Sequence, residues 1–161
     1  MQSAMMWFNP TNDRGKILIE PHVIDLVRGY SQNHHDSFES GGILLGYRRD
    51  DHLHIVDATI PQLGDKCMRF RFFRRDANHQ KIALKRWKLS GNTMDYIGEW
   101  HTHPESMPTP SSLDMSEWKK IYGTRQAGMV FLIVGWTGSI WLGVGLGQCI
   151  CQATECKDIT I

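Results

Sequence analysis

Apolar residues recur in two rhythms along the chain, and the changes of rhythm mark its elements. Val23, Leu26, Val27 and Tyr30 stand at the i, i+3, i+4, i+7 spacing of one helical face, with Pro21 suited to the first turn. Glu39-Ser40-Gly41-Gly42 breaks that rhythm and leads into Ile43-Leu44-Leu45-Gly46, which predicts a loop entering a buried strand. The period becomes two at Leu53 and Ile55, between His52 and His54, and again at Met68, Phe70 and Phe72, between Arg69 and Arg71. Both runs predict strands. Ile82, Ala83, Arg86, Trp87 and Leu89 predict a second helix. Tyr96 to His103 reads as extended, and Pro104 discourages helix at its end. Ser111 or Ser112 can cap a third helix whose inner face uses Met115, Trp118 and Tyr122. Strands at Met129 to Trp136 and Ile140 to Leu146 follow, joined by a turn at Thr137-Gly138-Ser139. The sum is an α/β or α+β fold, a curved mixed β-sheet flanked by helices.

Composition narrows the classes. The chain has 161 residues, and no repeat, low-complexity tract or linker divides it, so residues 1–161 read as a single domain. Eighteen basic against seventeen acidic residues leave a net charge of +1, which argues against general affinity for nucleic acid or an anionic membrane. The start of the chain lacks the basic-then-apolar pattern of a secretion signal. The longest apolar run, Met129 to Val134, falls far short of the roughly 20 residues that span a bilayer. A cytoplasmic protein is expected. Three of the four cysteines, Cys149, Cys151 and Cys156, crowd near the C-terminus, away from Cys67. A cytosol keeps such thiols reduced, so they read as free, and the paired C-x-x-C spacing of structural zinc sites is missing.

One segment carries chemistry. His101-Thr102-His103-Pro104 is followed by Ser111-Ser112-Leu113-Asp114, a pattern H-x-H-x7-S-x2-D. Histidines at i and i+2 of an extended segment point to the same side, so both imidazoles can reach one metal ion. Pro104, Pro108 and Pro110 favour a stiff extended loop that delivers Asp114 in the first turn of the next helix. Two imidazoles and one carboxylate leave a Zn²⁺ ion an open position for water, the mark of catalytic rather than structural zinc. A hydrolase of this kind needs a further carboxylate to move the proton, and Glu39, in its glycine-flanked turn, is the candidate. The Ser111 hydroxyl could donate to a developing oxyanion or cap the helix, and the two roles could divide between Ser111 and Ser112.

Blander readings hold elsewhere. His52 and His54 read as half-exposed strand residues, and His34-His35 beside Asp36 as a solvated helix end. Glu99 would share a strand face with His101, so a supporting role is conceivable. Trp100, Met115 and Trp118 read as core.

In Glu39, His101, His103, Pro104, Ser111 and Asp114 the chain resembles the JAB/MPN (JAMM) metalloproteases, over about residues 20–146. Gly41-Gly42-Ile43-Leu44-Leu45-Gly46 is similar to the family's strand after the base. The resemblance implies a fold akin to cytidine deaminases, with zinc held by His101, His103 and Asp114, Glu39 as general base and Ser111 steadying the oxyanion. It also implies cleavage after the C-terminal residue of a ubiquitin-like protein. The short form is similar to the deconjugating proteases of CBASS antiphage operons. Their substrate is a cGAS-like nucleotidyltransferase conjugated to targets by an E1–E2 fusion enzyme, presenting an extended tail. Processing of a sulfur-carrier protein, or a non-catalytic binding scaffold, are the alternatives.

Overall fold

The computed structural model describes residues 3–34 and 36–157. His35 of the His34-His35 pair therefore lies outside the described residues. Ten strands and three helices succeed one another as β1 (Met5–Phe8), β2 (Lys16–Ile19), α1 (Pro21–Arg28), β3 (Gly41–Arg49) and β4 (His52–Ala58). Then come β5 (Lys66–Met68), β6 (Arg71–Phe73), α2 (Asn78–Leu89), β7 (Asp95–Thr102), α3 (Ser112–Tyr122), β8 (Met129–Val134), β9 (Ile140–Leu146) and β10 (Cys149–Gln152). Eight strands form one sheet in the order β1-β2-β4-β3-β7-β8-β9-β10, while β5 and β6 pair only with each other. The pairs β2–β4 and β7–β8 are parallel and the others antiparallel, so the sheet is mixed and the fold is α+β.

The centre of the sheet is buried on both faces, and strand periodicity sorts the side chains between them. All six residues of β8 are buried. Val130, Leu132 and Val134 join Val23, Val27, Leu44 and Trp100 beneath α1. Met129, Phe131 and Ile133 join Trp118 and Tyr122 of α3 on the opposite face. The same alternation along β7 sends Trp100 towards α1 and His101 towards α3, where its ring lies 5.7 Å from that of Trp118. The face that carries chemistry is thus decided by strand parity.

Several expectations need correction. The alternating run Met68-Phe70-Phe72 is not one strand but a hairpin that turns at Arg69-Phe70, leaving Phe70 72% exposed. Two three-residue strands joined by a two-residue turn keep the same alternation as a single strand, so the period does not distinguish them. Helix α2 forms where expected and lies largely open to solvent: Leu89 is 74% exposed and only His79 is buried. On α3, Trp118 and Tyr122 turn inward as expected, whereas Met115 is 39% exposed. The edge strands β1 and β10, and β2 between β1 and β4, have no counterpart in the periodicity reading, although Ile17 and Ile19 of β2 are fully buried.

Candidate active site

Backbone register brings the distant carboxylate to the histidines. Strand β3 runs antiparallel to β7 with Gly41 opposite His101 and Gly42 opposite Trp100. Two residues before Gly41, Glu39 is therefore delivered beside His103, with Oε1 3.9 Å from His103 Nε2. The glycines permit close approach: a Cβ on Gly42 would lie 2.1 Å from the Thr59 carbonyl oxygen, and one on Gly41 2.6 Å from the Phe72 ring.

His101 and His103 turn their Nε2 atoms towards each other at 3.0 Å. Asp114 closes the group, with Oδ1 3.4 Å from His101 Nε2 and Oδ2 3.0 Å from His103 Nε2. The loop between the second histidine and the helix is non-helical and tied down, since its Glu105 carbonyl accepts from the Trp136 N–H and its Ser106 carbonyl from the Thr137 and Ser139 hydroxyls. Ser111 is the N-cap of α3: its Oγ accepts the Asp114 N–H at 3.0 Å, and its own N–H donates to Asp114 Oδ2 at 2.8 Å. Capping and donation are compatible at one hydroxyl. Oγ caps as an acceptor, so its proton remains to be given elsewhere. Ser112 makes no cap bond and begins the helix.

The donor set fits a metal ion. Two imidazole nitrogens and a carboxylate oxygen converge within 4.8 Å of one another, all on buried or half-buried side chains. Facing Nε2 lone pairs repel unless a proton or a cation lies between them. His103 Nδ1 is buried without a hydrogen-bond partner, with Glu105 Oε1 3.7 Å away on its outer side. An Nδ1–H tautomer there would leave the Nε2 lone pair directed into the cluster. Among the described residues this is the one such group of three; the cysteines are free and do not assemble a second.

Electrostatics separate the two carboxylates. Burial pushes the Glu39 carboxyl up to about 8, with the charges of Asp114 and Glu105 adding to the rise and His103 and the Phe72 N–H opposing it. Burial acts on Asp114 in the same direction but is overcome by hydrogen bonds from His101 and His103 and by the Ser111 N–H, which hold it well below the usual carboxylate range. For His103, burial would lower the pKa, yet the bond to Asp114 and the charges of Asp114, Glu39 and Glu105 raise it. With no metal bound, the folded state therefore keeps protons on Glu39 and His103 that the unfolded chain gives up. Since Glu39 moves from 4.5 to about 8, its contribution to stability falls as pH rises through that interval. Urea unfolding of chelator-treated protein should show stability declining from about pH 5 to 8, by at most about 1.4 kcal/mol per pH unit from this group. Glu39→Gln should flatten that decline, and equal slopes for the two proteins would refute the assignment.

A groove of about 310 Å³ leads from this cluster, between α3 and the β5–β6 hairpin, lined by Phe70, Phe72, Arg74, Leu113 and Trp118 among others. Glu99 also lines it, but its carboxylate is held by the Arg74 guanidinium and the Tyr96 hydroxyl, so it is not free to act as a base. Trp100 and Trp118, read as core, are buried and border the groove as well. The roots of the hairpin are joined by a fully buried pair that sequence reasoning missed. Asp65 Oδ1 accepts from the N–H groups of Arg75 and Asp76, and Oδ2 from Gln62 N–H and from His79 Nε2 at 2.5 Å. On its other side His79 Nδ1 meets Thr59 Oγ1 at 2.6 Å, and that oxygen accepts the Ile43 N–H of β3. Partners 14 and 20 residues from His79 leave no local pattern to find.

Residues 23–143 match the family described as prokaryotic homologues of the JAB domain. The chain belongs to this family. A protein of Vibrio cholerae serotype O1 named CD-NTase/cGAS isopeptidase is 39% identical over 127 residues, covering 79% of this chain and 80% of that protein. A Pseudomonas aeruginosa protein of the same name is 38% identical over 126 residues, 78% of this chain and 79% of its own. The probable metalloprotease y4qB of Sinorhizobium fredii is 26% identical over 137 residues, 79% and 83% of the two chains. The solution structure of protein DSY2949 from Desulfitobacterium hafniense superposes with a TM-score of 0.61 at 17% identity, over 84% of this chain and 88% of that one, and agrees in fold.

Proposed function

We propose that the protein is a zinc-dependent isopeptidase that hydrolyses the bond after the C-terminal residue of a ubiquitin-like conjugated protein. Its substrate in this reading is a cGAS-like nucleotidyltransferase that an E1–E2 fusion enzyme has attached to target proteins in CBASS antiphage defence. The observation that carries the proposal is the convergence of His101, His103 and Asp114 with Glu39 only 3.9 Å from His103. The relatives named CD-NTase/cGAS isopeptidase, aligned over most of their length, support the substrate class. The reading places its action in the cytoplasm; no helix among the described residues is long and apolar enough to cross a membrane. Residues 1–161 act as one domain in this reading.

His101, His103 and Asp114 would hold the zinc ion. When bound, zinc lowers the pKa of a coordinated water towards about 7 and polarises a carbonyl oxygen. Glu39 takes the proton of the attacking water as its oxygen joins the carbonyl carbon, and then delivers that proton to the departing amine as the C–N bond breaks. The products are a free carboxylate on the tail and a free amine on the target. Ser111 Oγ, already fixed by the Asp114 N–H, gives its remaining hydrogen bond to the oxygen on which negative charge develops. Among the described residues the β5–β6 hairpin pairs with no other strand, so an extended tail in the groove can hydrogen-bond to its edge.

The direct test is incubation of the purified protein with a nucleotidyltransferase–target fusion, with and without a zinc chelator. Cleavage confined to the chelator-free sample is expected. Intact fusion in both, with a different ubiquitin-like fusion cleaved, would remove the nucleotidyltransferase and leave the isopeptidase.

A further inference from the structure

Glu39 sits in a segment with no regular structure, and the ties that hold it converge on a buried side chain the mechanism does not use. Gln32 follows α1 and is 1% exposed. Its Nε2 donates to the carbonyls of Ser37 at 3.0 Å and Arg69 at 2.9 Å, while its Oε1 accepts from the Thr102 hydroxyl at 3.0 Å. The amide orientation follows from its partners, because the flipped form would set an oxygen against two carbonyl oxygens. Thr102 Oγ1 in turn accepts the Ser40 N–H at 3.0 Å, and the Thr102 N–H donates to the Ser40 carbonyl at 2.9 Å. Glu39's own N–H donates to the Met68 carbonyl of the hairpin at 2.6 Å.

Glu39 and its neighbours are therefore bound to three separate parts of the fold: Ser40 to the strand bearing the histidines, Glu39 itself to β5 of the hairpin, and Ser37 to the Gln32 amide. Thr102 lies between His101 and His103, so strand alternation turns its side chain away from their cluster and towards the Glu39 loop. Every hydrogen of the Gln32 amide and the Thr102 hydroxyl is committed. A network so ordered has a single arrangement.

We propose that Gln32, acting through Thr102, is a positioning residue that fixes the Glu39 carboxylate relative to the His-x-His strand. The inference rests on Glu39 being the base of the proposed reaction. A group held by backbone ties on its flanks loses its register when they are cut, and a displacement of about 1 Å at a reacting group can cost about 100-fold in rate.

The test compares Gln32→Met, which keeps length without hydrogen bonds, with Thr102→Val, which keeps shape without the hydroxyl, and Thr102→Ser, which keeps the hydroxyl. Turnover is measured per zinc-loaded molecule, and amide exchange is followed over residues 37–40 and 66–73. Both Gln32→Met and Thr102→Val should lower kcat by about 10- to 100-fold with KM and zinc content near wild type, and should speed exchange in both segments. Thr102→Ser should restore kcat to within a few-fold. Wild-type kcat per zinc in the Met and Val variants, or an equal loss in the Ser variant, would overturn the proposal. Should Gln32→Met fail to fold, the Val/Ser pair decides alone. Amide exchange needs no substrate, so unchanged exchange refutes the positioning role even where wild-type protein cleaves nothing. Inactive wild type with accelerated exchange in the variants refutes instead the activity assigned to Glu39.

Discussion

Replacing Glu39 by Gln is expected to leave zinc bound while turnover falls by about 10²- to 10⁴-fold, the range supplied by a positioned acid–base group. Gln matches Glu in size, so the substitution is gentle at a residue only 4% exposed and removes the proton acceptor alone. The carboxylate nearest in kind, Glu99, cannot substitute, because Arg74 and Tyr96 already hold it. Asp114 cannot either: its oxygens face the two imidazoles and the Ser111 N–H. Single-turnover cleavage of a conjugate, with metal analysis of the same sample, measures the effect. Cleavage within a few-fold of wild type would remove Glu39 from the reaction.

The second large effect concerns the metal. His103→Ala should lower zinc affinity by more than about 100-fold, exceeding the effect of removing an outer partner of a ligand, and abolish turnover with it. His103 is the hub of the cluster, since its Nε2 lies 3.0 Å from both His101 Nε2 and Asp114 Oδ2. The strand pairing on either side is made by backbone, and His103's own N–H bonds to the Val134 carbonyl whatever its side chain. Circular dichroism should therefore match wild type while the metal content falls. A variant that retains stoichiometric zinc would show that the three residues are not the ligand set.

The parts of this site that could be read from the chain are those governed by short-range geometry. Two histidines at i and i+2 share a face on any strand, and prolines in the following loop with a serine three residues before an aspartate announce a capped helix. Glu39 is legible as the candidate base from its glycine-flanked turn and the family motif; its distance from His103 depends on the β3–β7 register, which no local pattern encodes. The same limit hid β1, β2 and β10, four-residue strands placed by pairing rather than by periodicity. It hid Asp65, Thr59 and His79 as well, three ordinary residues until the fold encloses them. Gln32 belongs with them, its bond to Thr102 spanning 70 residues.

The capping box at the start of α3 bears on the order of assembly. Asp114 is oriented by Ser111 through bonds that form as the helix forms, and the histidines are oriented by a strand buried in the sheet. None of these constraints needs the ion. In the proposed enzyme the metal would thus enter a site already shaped by bonds between protein atoms, unlike small domains that remain unfolded without zinc.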